Sequence, residues 1–338
     1  MKVIDYIELL NKRQDLTQEQ AEHLLGLLIG GADNSQIADV LKALANKGES
    51  VEEIVGFAEG MRGLMLTVDA GADVVDIVGT GGDGSNSFNI STVSAIVTAA
   101  CGVMVAKHGN RAASSLCGSA DVLEALGVNI NLTPAKAAEV LEKVGMVFLF
   151  APAFHPAMKT VGPVRKELKM RTIFNYLGPF LNPGKVERML FGVANLELAE
   201  KFLEIASKLK FKHLIIVTSE DGMDEISVAA KTTAFELKNG DVRKFIIDPQ
   251  ERGFEKYSKQ DLIGGDPKLN AGIVRDVLAG KEIGAKKDAV VLNSAYALLV
   301  ADKVNDVQEG IEMARGVIDT GKALEVLDNL IKETNRNA

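Results

Sequence analysis

From residue 72 onward, short runs rich in β-branched residues alternate with stretches of helical periodicity, the pattern of a parallel sheet joined by crossover helices. Strands are predicted near 74–78, 103–107, 146–150, 190–193 and 213–218, with helices near 91–101, 120–127, 134–144 and 196–210. Thr133-Pro134 starts one of these helices and Gly145 stops it. Residues 225–248 alternate like two strands around the turn dipeptide Asn239-Gly240, which adds an antiparallel hairpin, and helices are predicted from about 268 onward. Residues 1–65 read as wholly helical, with capping boxes at Thr17 with Gln20 and at Ser50 with Glu53. Leu24, Leu25, Leu27, Leu28 and Ile29 form an apolar face for a bundle core or a second subunit. A further helix-like segment, 155–182, is punctuated by prolines 156, 163 and 179, with Pro183 just beyond and a bend expected at Pro163. The fold class is therefore α/β: a small N-terminal helical domain plus a larger α/β domain with a mostly parallel central sheet flanked by helices. The expected division is 1–70, joined by about 160–188, against 71–159 and 189–338.

Composition narrows the function. The 338 residues are 47% hydrophobic and 25% charged, which excludes a largely disordered or fibrous chain. Lysine and arginine number 38 against 46 acids, net −8, so a nucleic-acid partner is not expected. Cys101 and Cys117 are too few for a disulfide framework, and the four histidines lack zinc-ligand spacing. The longest uncharged stretch, 88–106, carries Asn89, Ser91, Thr92, Ser94 and Thr98, so it reads as buried helix and strand rather than a membrane span. The opening MKVIDYIELL has acids at Asp5 and Glu8 and no secretory pattern, so a cytoplasmic location with no membrane partner is expected.

Asp76-Ile77-Val78 leads into Gly79-Thr80-Gly81-Gly82-Asp83-Gly84, and a helix follows from Ser91. A backbone-lined hollow is thus expected at the carboxyl end of a strand, where α/β sheets bind ligands. Glycines 79, 81 and 84 satisfy G-x-G-x-x-G, but a dinucleotide site also needs an acid at the end of the next strand, which here ends in Lys107. A cation there favours phosphate over ribose, and a standard P-loop is excluded by the missing Gly-Lys-Ser/Thr ending. Ser87, Asn89, Ser91 and Thr92 add hydrogen-bonding groups around the helix N-terminus. The alternative is a plain tight turn. Lys107-His108-Gly109-Asn110-Arg111, followed by Ser114 and Ser115, is either a second phosphate loop or a solvated one. Two such loops side by side suit a ligand with two phosphate groups.

Asp221-Gly222-Met223-Asp224-Glu225 follows the strand-like run ending at Ser219. Asp224 and Glu225 share one site only if the turn persists through both; otherwise they hold different ions, or the turn is merely solvated. Magnesium is usually held by one or two carboxylates plus substrate phosphates. His155 lies ten residues before Arg165, in the segment that also holds Arg171, and reads either as a packing or capping group beside Phe154 or as a site residue. No Ser/His/Asp, Cys/His or G-x-S-x-G set occurs, so covalent nucleophilic catalysis is not expected.

Taken together, DIVGTGGDG (76–84), NIST (89–92), KHGNR (107–111), Ser114-Ser115, GSADVLEALG (118–127), the stretch from HPAM (155–158) to VRKELKMRTIFNYLGP (164–179), and DGMDEIS (221–227) resemble the anthranilate phosphoribosyltransferase family. The motifs stand in the family's order and spacing over essentially the whole chain. The wider fold is shared with pyrimidine nucleoside phosphorylases. The resemblance implies transfer of the phosphoribosyl group of phosphoribosyl pyrophosphate (PRPP) to the amine of anthranilate in tryptophan biosynthesis. It also implies a magnesium cofactor (Mg2+) and a homodimer formed through the helical domain. By the same resemblance Gly79, Gly82, Asp83, Ser87, Asn89, Ile90, Ser91, Thr92, Lys107, His108, Gly109, Asn110, Arg111, Ala112, Ala113, Ser114, Ser115 and Ser119 would surround PRPP. Ser91, Asp224 and Glu225 would hold magnesium. Gly79, Asn110 and Arg165 would face anthranilate, with His108, His155 and Pro179 lining its route. Lys107, Asp224 and Glu225 would stabilise charge without a covalent nucleophile. Leu116-Cys117 departs from the family pattern, which has a polar residue and serine before Gly118. The rival readings are a pyrimidine nucleoside phosphorylase-like enzyme, which needs no acid pair, and a non-catalytic nucleic-acid-binding relative, which should have lost the acids and carry a basic face.

Overall fold

Four helices open the chain, α1 (Val3–Asn11), α2 (Gln18–Gly30), α3 (Asn34–Lys47) and α4 (Val51–Leu64), in a computed structural model that describes residues 1–71, 73–112 and 115–336. Both expected capping boxes form, and Asp33 with Gln36 adds another. Glu53 does more than cap: it accepts from Leu16 N at 3.0 Å and pairs with Lys47 at 2.9 Å, closing the α1–α2 connection onto α4. α2 and α4 lie so close that a Cβ on Gly56 would collide with Gln18 O and Ala21. Leu24, Leu25 and Leu28 are fully buried, whereas Leu27 and Ile29 are half-buried. Most of that face is therefore bundle core. A glutamate at position 28 would place a charge inside the bundle and is expected to unfold it, so it cannot serve as a probe of self-association.

The alternating half follows with β1 (Val74–Gly79), α5 (Ile90–Ala100), β2 (Met104–Gly109), α6 (Ser119–Ala125), α7 (Pro134–Val144) and β3 (Met146–Phe150). Three short helical pieces, α8 (Ala151–Phe154), α9 (Met158–Leu168) and α10 (Phe174–Leu177), lead to β4 (Arg188–Gly192), α11 (Leu196–Lys208) and β5 (His213–Ser219). The chain continues through β6 (Thr232–Lys238) and β7 (Asp241–Ile247), then α12 (Pro267–Leu278), α13 (Ala285–Val300), α14 (Val307–Asp319) and α15 (Lys322–Asn335). The strands form one sheet in the order β3-β2-β1-β4-β5-β6-β7. Pairs from β3 to β5 are parallel, and β6 and β7 run antiparallel. Strand order reverses at β1, so the carboxyl ends of β1 and β4 flank a switch-point crevice. α5 is buried along nearly its whole length, packed on β1 and β2 and covered by α13, α14 and α15.

Asn239 and Gly240, at φ of 51° and 92°, turn β6 into β7 as expected of this dipeptide. The hairpin begins only at Thr232, which corrects the expectation of strand from 225. Ile226 has its N–H and C=O held by the Asn293 side chain at 3.0 and 2.8 Å, in place of a neighbouring strand. A second correction concerns 155–182: the break falls at His155–Ala157, between α8 and α9, and Pro163 sits inside α9. α9 packs on α2 and α3, and α10 on α4. Phe180 meets Phe191, Phe202 and Phe211 at 5.6–6.3 Å between ring centres, seating the loop after α10 on β4 and α11.

At the opposite end of the sheet Asp302 gathers Arg188 and Lys238 at 2.7 Å and His213 at 3.6 Å. Burial alone would raise this carboxyl, but the bonds from Lys238 and Arg188 bring it from 3.8 to about 2. An acid with a depressed folded pKa stabilises the fold above its unfolded value and loses that contribution as pH falls through the folded one. Asp302→Asn is therefore expected to lower Tm at pH 6 and to lose less than the parent between pH 4 and pH 2. Equal acid losses in both proteins, read from thermal melts, would remove the assignment.

Candidate active site

β1 delivers Gly79 to the sheet's carboxyl edge, where it pairs with Gly192 of β4. Both positions require glycine because the turn after β5 folds directly over them. A Cβ on Gly79 would lie 2.6 Å from Asp224 Oδ2, and one on Gly192 would overlap the Asp224 carbonyl. The turn persists through both acids, so Asp224 and Glu225 reach one site. Gly81 adopts φ of 70°, in the left-handed region, and donates its N–H to Asp224 Oδ2 at 2.5 Å. Asp83 accepts from Asp224 N at 3.3 Å and from Ser85 N and Oγ at 2.9 Å, with Ser87 Oγ 3.2 Å beyond Ser85.

Glu225 takes the N–H of Ser91 at 3.1 Å, in the first turn of α5, where a helix favours negative charge. Lys107 is buried and reaches Ser91 Oγ at 3.2 Å and Ile77 O across the sheet. Burial raises the Asp224 and Glu225 carboxyls; Asp83 raises Asp224 further, and Asp224 raises Glu225. Burial also lowers the Lys107 ammonium, opposed by Asp76, Glu225 and Asp224. Asp224 and Glu225, with Ser91 Oγ beside them, offer an all-oxygen donor set of the kind that suits a hard divalent cation. Among the described residues no three acidic, histidine or cysteine side chains are grouped as a metal cage. Asn89 bonds Cys117 O at 3.1 Å and Asn270 at 2.9 Å, while Ile90 and Thr92 are buried, with Thr92 Oγ1 lacking a hydrogen-bond partner among the described residues.

β2 ends in the second loop. His108 and His155 meet edge-on, 5.1 Å between ring centres and 3.2 Å between their Nε2 atoms, so one donates to the other. Burial lowers His108 to about 3 and His155 to about 4, so both are neutral near pH 7. Gly109 lies against Ser119 Oγ and the Phe148 ring, and Ser119 Oγ donates to Asn110 O at 3.2 Å. Asp121 accepts from Ala112 N and Gly118 N, both at 2.9 Å, and so shapes this loop. Ser115 is exposed; Ala113 and Ser114 lie outside the described residues. Arg165 stacks over Phe174, 5.3 Å from the ring centre, half-buried and without a carboxylate partner among the described residues. Pro179 is buried beside a cavity of about 460 Å³ that also meets Arg62, Asn182 and Phe211.

The helical bundle domain of a glycosyl transferase family matches residues 4–65, and the a/b domain of that family matches residues 71–324. Anthranilate phosphoribosyltransferase of Methanobrevibacter smithii is 45% identical over 322 residues, covering 95% of this chain and 96% of that one. The enzyme of the same name from Thermomicrobium roseum is 47% identical over 317 residues, covering 92% and 91%. The chain belongs to the anthranilate phosphoribosyltransferase family. Among solved anthranilate phosphoribosyltransferases, the Thermus thermophilus enzyme superposes with a TM-score of 0.90 at 38% identity, covering 98% of this chain and 99% of that one. The Saccharomyces cerevisiae enzyme in complex with PRPP and Mg superposes at 0.91 with 28% identity, covering 99% and 98%.

Against the residue set implied for an anthranilate phosphoribosyltransferase, the glycine loop, the start of α5, Lys107 and the acid pair come together. Arg111 is engaged elsewhere: it pairs with Asp121 at 3.2 Å and with Glu124, and stacks over Phe150. A phosphate facing Arg111 would compete with those carboxylates for its guanidinium. The departure at Leu116-Cys117 leaves Leu116 exposed and Cys117 buried, its thiol pushed up to about 11 by burial. Thr80, whose Oγ1 donates to Asp224 Oδ2 at 3.5 Å, Asp121 and Gly192 also shape this candidate site, and the sequence reading does not single them out. Gly192 carried no local signal, because its requirement arises from Asp224, far along the chain.

Proposed function

We propose that this protein transfers the phosphoribosyl group of phosphoribosyl pyrophosphate to the amine of anthranilate, releasing pyrophosphate, as a step of tryptophan biosynthesis. The observation that carries the reading is the Asp224-Glu225 turn lying over Gly79 and Gly192, which sets the buried Asp224 and the half-buried Glu225 against Lys107, Ser91 and the glycine loop in one crevice. In this reading Gly79, Gly82, Asp83, Ser87, Asn89, Ser91, Thr92, Lys107 and the loop through Ser119 receive the substrate's phosphates and ribose. Ser91, Asp224 and Glu225 hold magnesium, which when bound offsets the charge of the departing pyrophosphate. Lys107 stays beneath it as a fixed positive charge. Arg165 and Asn110 orient anthranilate, with His108, His155 and Pro179 along its route. The two histidines are too weakly basic to collect a proton near pH 7, and an aromatic amine, itself weakly basic, attacks without a strong general base.

Mixing the protein with phosphoribosyl pyrophosphate, magnesium and anthranilate is expected to quench anthranilate fluorescence, and omitting any one should abolish the change. Quenching that survives omission of phosphoribosyl pyrophosphate, or phosphorolysis of a pyrimidine nucleoside in its place, would overturn the reading. Lys107→Met, which keeps the buried volume, should raise the Kd for phosphoribosyl pyrophosphate by roughly 10- to 150-fold, the loss of a charged hydrogen bond of about 1.5–3 kcal/mol. Calorimetry with that substrate alone decides it, an unchanged Kd removing Lys107 from the site.

The helical unit in this reading comprises 1–70 with about 160–188, supported by α9 resting on α2 and α3, and it forms a homodimer in the cytoplasm. Among the described residues no helix is long and apolar enough to cross a membrane. Ile4, 53% exposed on α1, is an apolar group with which association can be tested. Sedimentation at micromolar concentration should give a dimer that Ile4→Glu weakens; a monomeric parent protein refutes it.

A further inference from the structure

Between β1 and β2 the sheet is split. The two strands pair only at Val74–Met104 and Val75–Val105, while β1 continues to pair with β4 through Gly79 and β2 with β3 through Gly109. Backbone groups facing the split still need partners, and side chains supply them. Asp76 Oδ1 accepts from His108 N at 3.3 Å, Lys107 Nζ crosses to Ile77 O, and Asn182 Nδ2 donates to Ala106 O at 2.8 Å. The same Asn182 nitrogen donates to Asp76 Oδ2 at 2.8 Å, and its Oδ1 accepts from Gly184 N at 2.8 Å, so the whole amide is used. Asp76 and Asn182 are 1% and 3% exposed.

Asn182 comes from the loop between α10 and β4, which also carries Pro179. In the next residue of that loop, Pro183 O accepts from Val68 N at 2.9 Å, in the connection from α4 to β1. A Cβ on Gly184 would meet Ala70 at 3.2 Å and Ala106 at 3.3 Å, so loop, connection and β2 are in close contact. One pair of side chains thereby ties two connections between bundle and sheet to the strand ends that carry Lys107 and His108.

We propose that Asp76 and Asn182 are positioning residues: their contact holds the split between β1 and β2 and sets the acceptor-side residues Arg165 and Pro179 in register with Lys107 and Ser91. The inference rests on the phosphoribosyl-transfer reading. Both side chains are buried, so they act through the residues they hold and not on substrate.

Asp76→Asn keeps the volume but replaces one of the two oxygens, which accept from Asn182 and from His108 N, by a donor. Asn182→Asp keeps the oxygen that Gly184 N needs but sets an acceptor against Asp76 Oδ2 and Ala106 O. Assayed well below each variant's melting midpoint, turnover at saturating substrate should fall roughly 10- to 100-fold in each, the cost of a small misalignment. Phosphoribosyl pyrophosphate Kd, measured alone by calorimetry, should stay within about threefold of the parent. The double variant restores a donor–acceptor pair with the roles exchanged and should recover turnover above either single variant. Turnover within about twofold of the parent in both single variants, alongside a lower Tm, would mean a purely structural contact and overturn the proposal. An equal loss of substrate affinity and turnover would also overturn it, by making these residues part of the phosphate subsite. Absence of turnover in the unsubstituted protein is a separate result, which sinks the transfer reading and this inference together.

Discussion

Asp224→Asn is expected to lower kcat by roughly 100-fold and to raise the magnesium concentration needed for half-maximal rate, and Glu225→Gln to do the same. A cation held by carboxylates contributes several kcal/mol to a transition state that develops charge on a leaving group. Losing roughly 3 kcal/mol of that, at about 1.4 kcal/mol per tenfold, gives the stated factor. The amide at 224 can still accept from Gly81 N, so the loop stays in place and only the charge is removed. Stability supplies an independent readout. Both carboxyls have raised folded pKa values, so each costs the fold progressively more as pH rises above its unfolded value. At pH 8 without magnesium the neutral variants should therefore melt no lower than the parent, while the magnesium-induced rise in Tm should shrink. Unchanged magnesium titrations in both variants would remove the acids from the metal site.

How far the chain could be read beforehand follows the range of the interactions. Capping at Thr17 and Ser50, the stop at Gly145 and the turn at Asn239-Gly240 depend on residues three or four apart, and each formed as read. The run 225–231 deceived the pattern because Ile226 and Val228 are buried on either side of Ser227, the alternation of a strand, yet Asn293 satisfies the Ile226 backbone from α13. At the site, local signals marked the glycine loop and the acid turn as candidates but left a tight turn and a solvated turn open. The family resemblance, not the periodicity, assigned their roles. The pairing of Arg111 with Glu124, the split at Asp76 and the demand for glycine at 192 were illegible, since each arises where the chain meets itself at a distance or turns back on its own side chains. The Leu24–Ile29 cluster could be read as core or interface because a leucine-rich face looks the same in both, and only the packing of α2 on α4 assigns Leu28 to the core.

Arg165→Ala should damage anthranilate use while leaving phosphoribosyl pyrophosphate binding nearly unchanged. The guanidinium is half-buried and has no carboxylate partner among the described residues, in a protein where most arginines near acids are paired. Burial lowers its pKa, but a guanidinium remains charged in water-accessible protein at any ordinary pH, so it is available to a ligand carboxylate. Charged hydrogen bonds contribute roughly 1.5–3 kcal/mol, and at about 1.4 kcal/mol per tenfold the loss in anthranilate kcat/KM should be on the order of 10- to 150-fold. Arg165→Lys should recover only part of it, because an ammonium keeps the charge but lacks the planar pair of donors that fits a carboxylate. Loss of the stacking on Phe174 will also cost some stability, so melts must show that both variants are folded at the assay temperature. Steady-state kinetics varying each substrate in turn supply the measurement. If phosphoribosyl pyrophosphate affinity falls equally, or anthranilate kinetics survive intact, Arg165 belongs to the packing of α9 on Phe174 and the acceptor's carboxylate is anchored elsewhere.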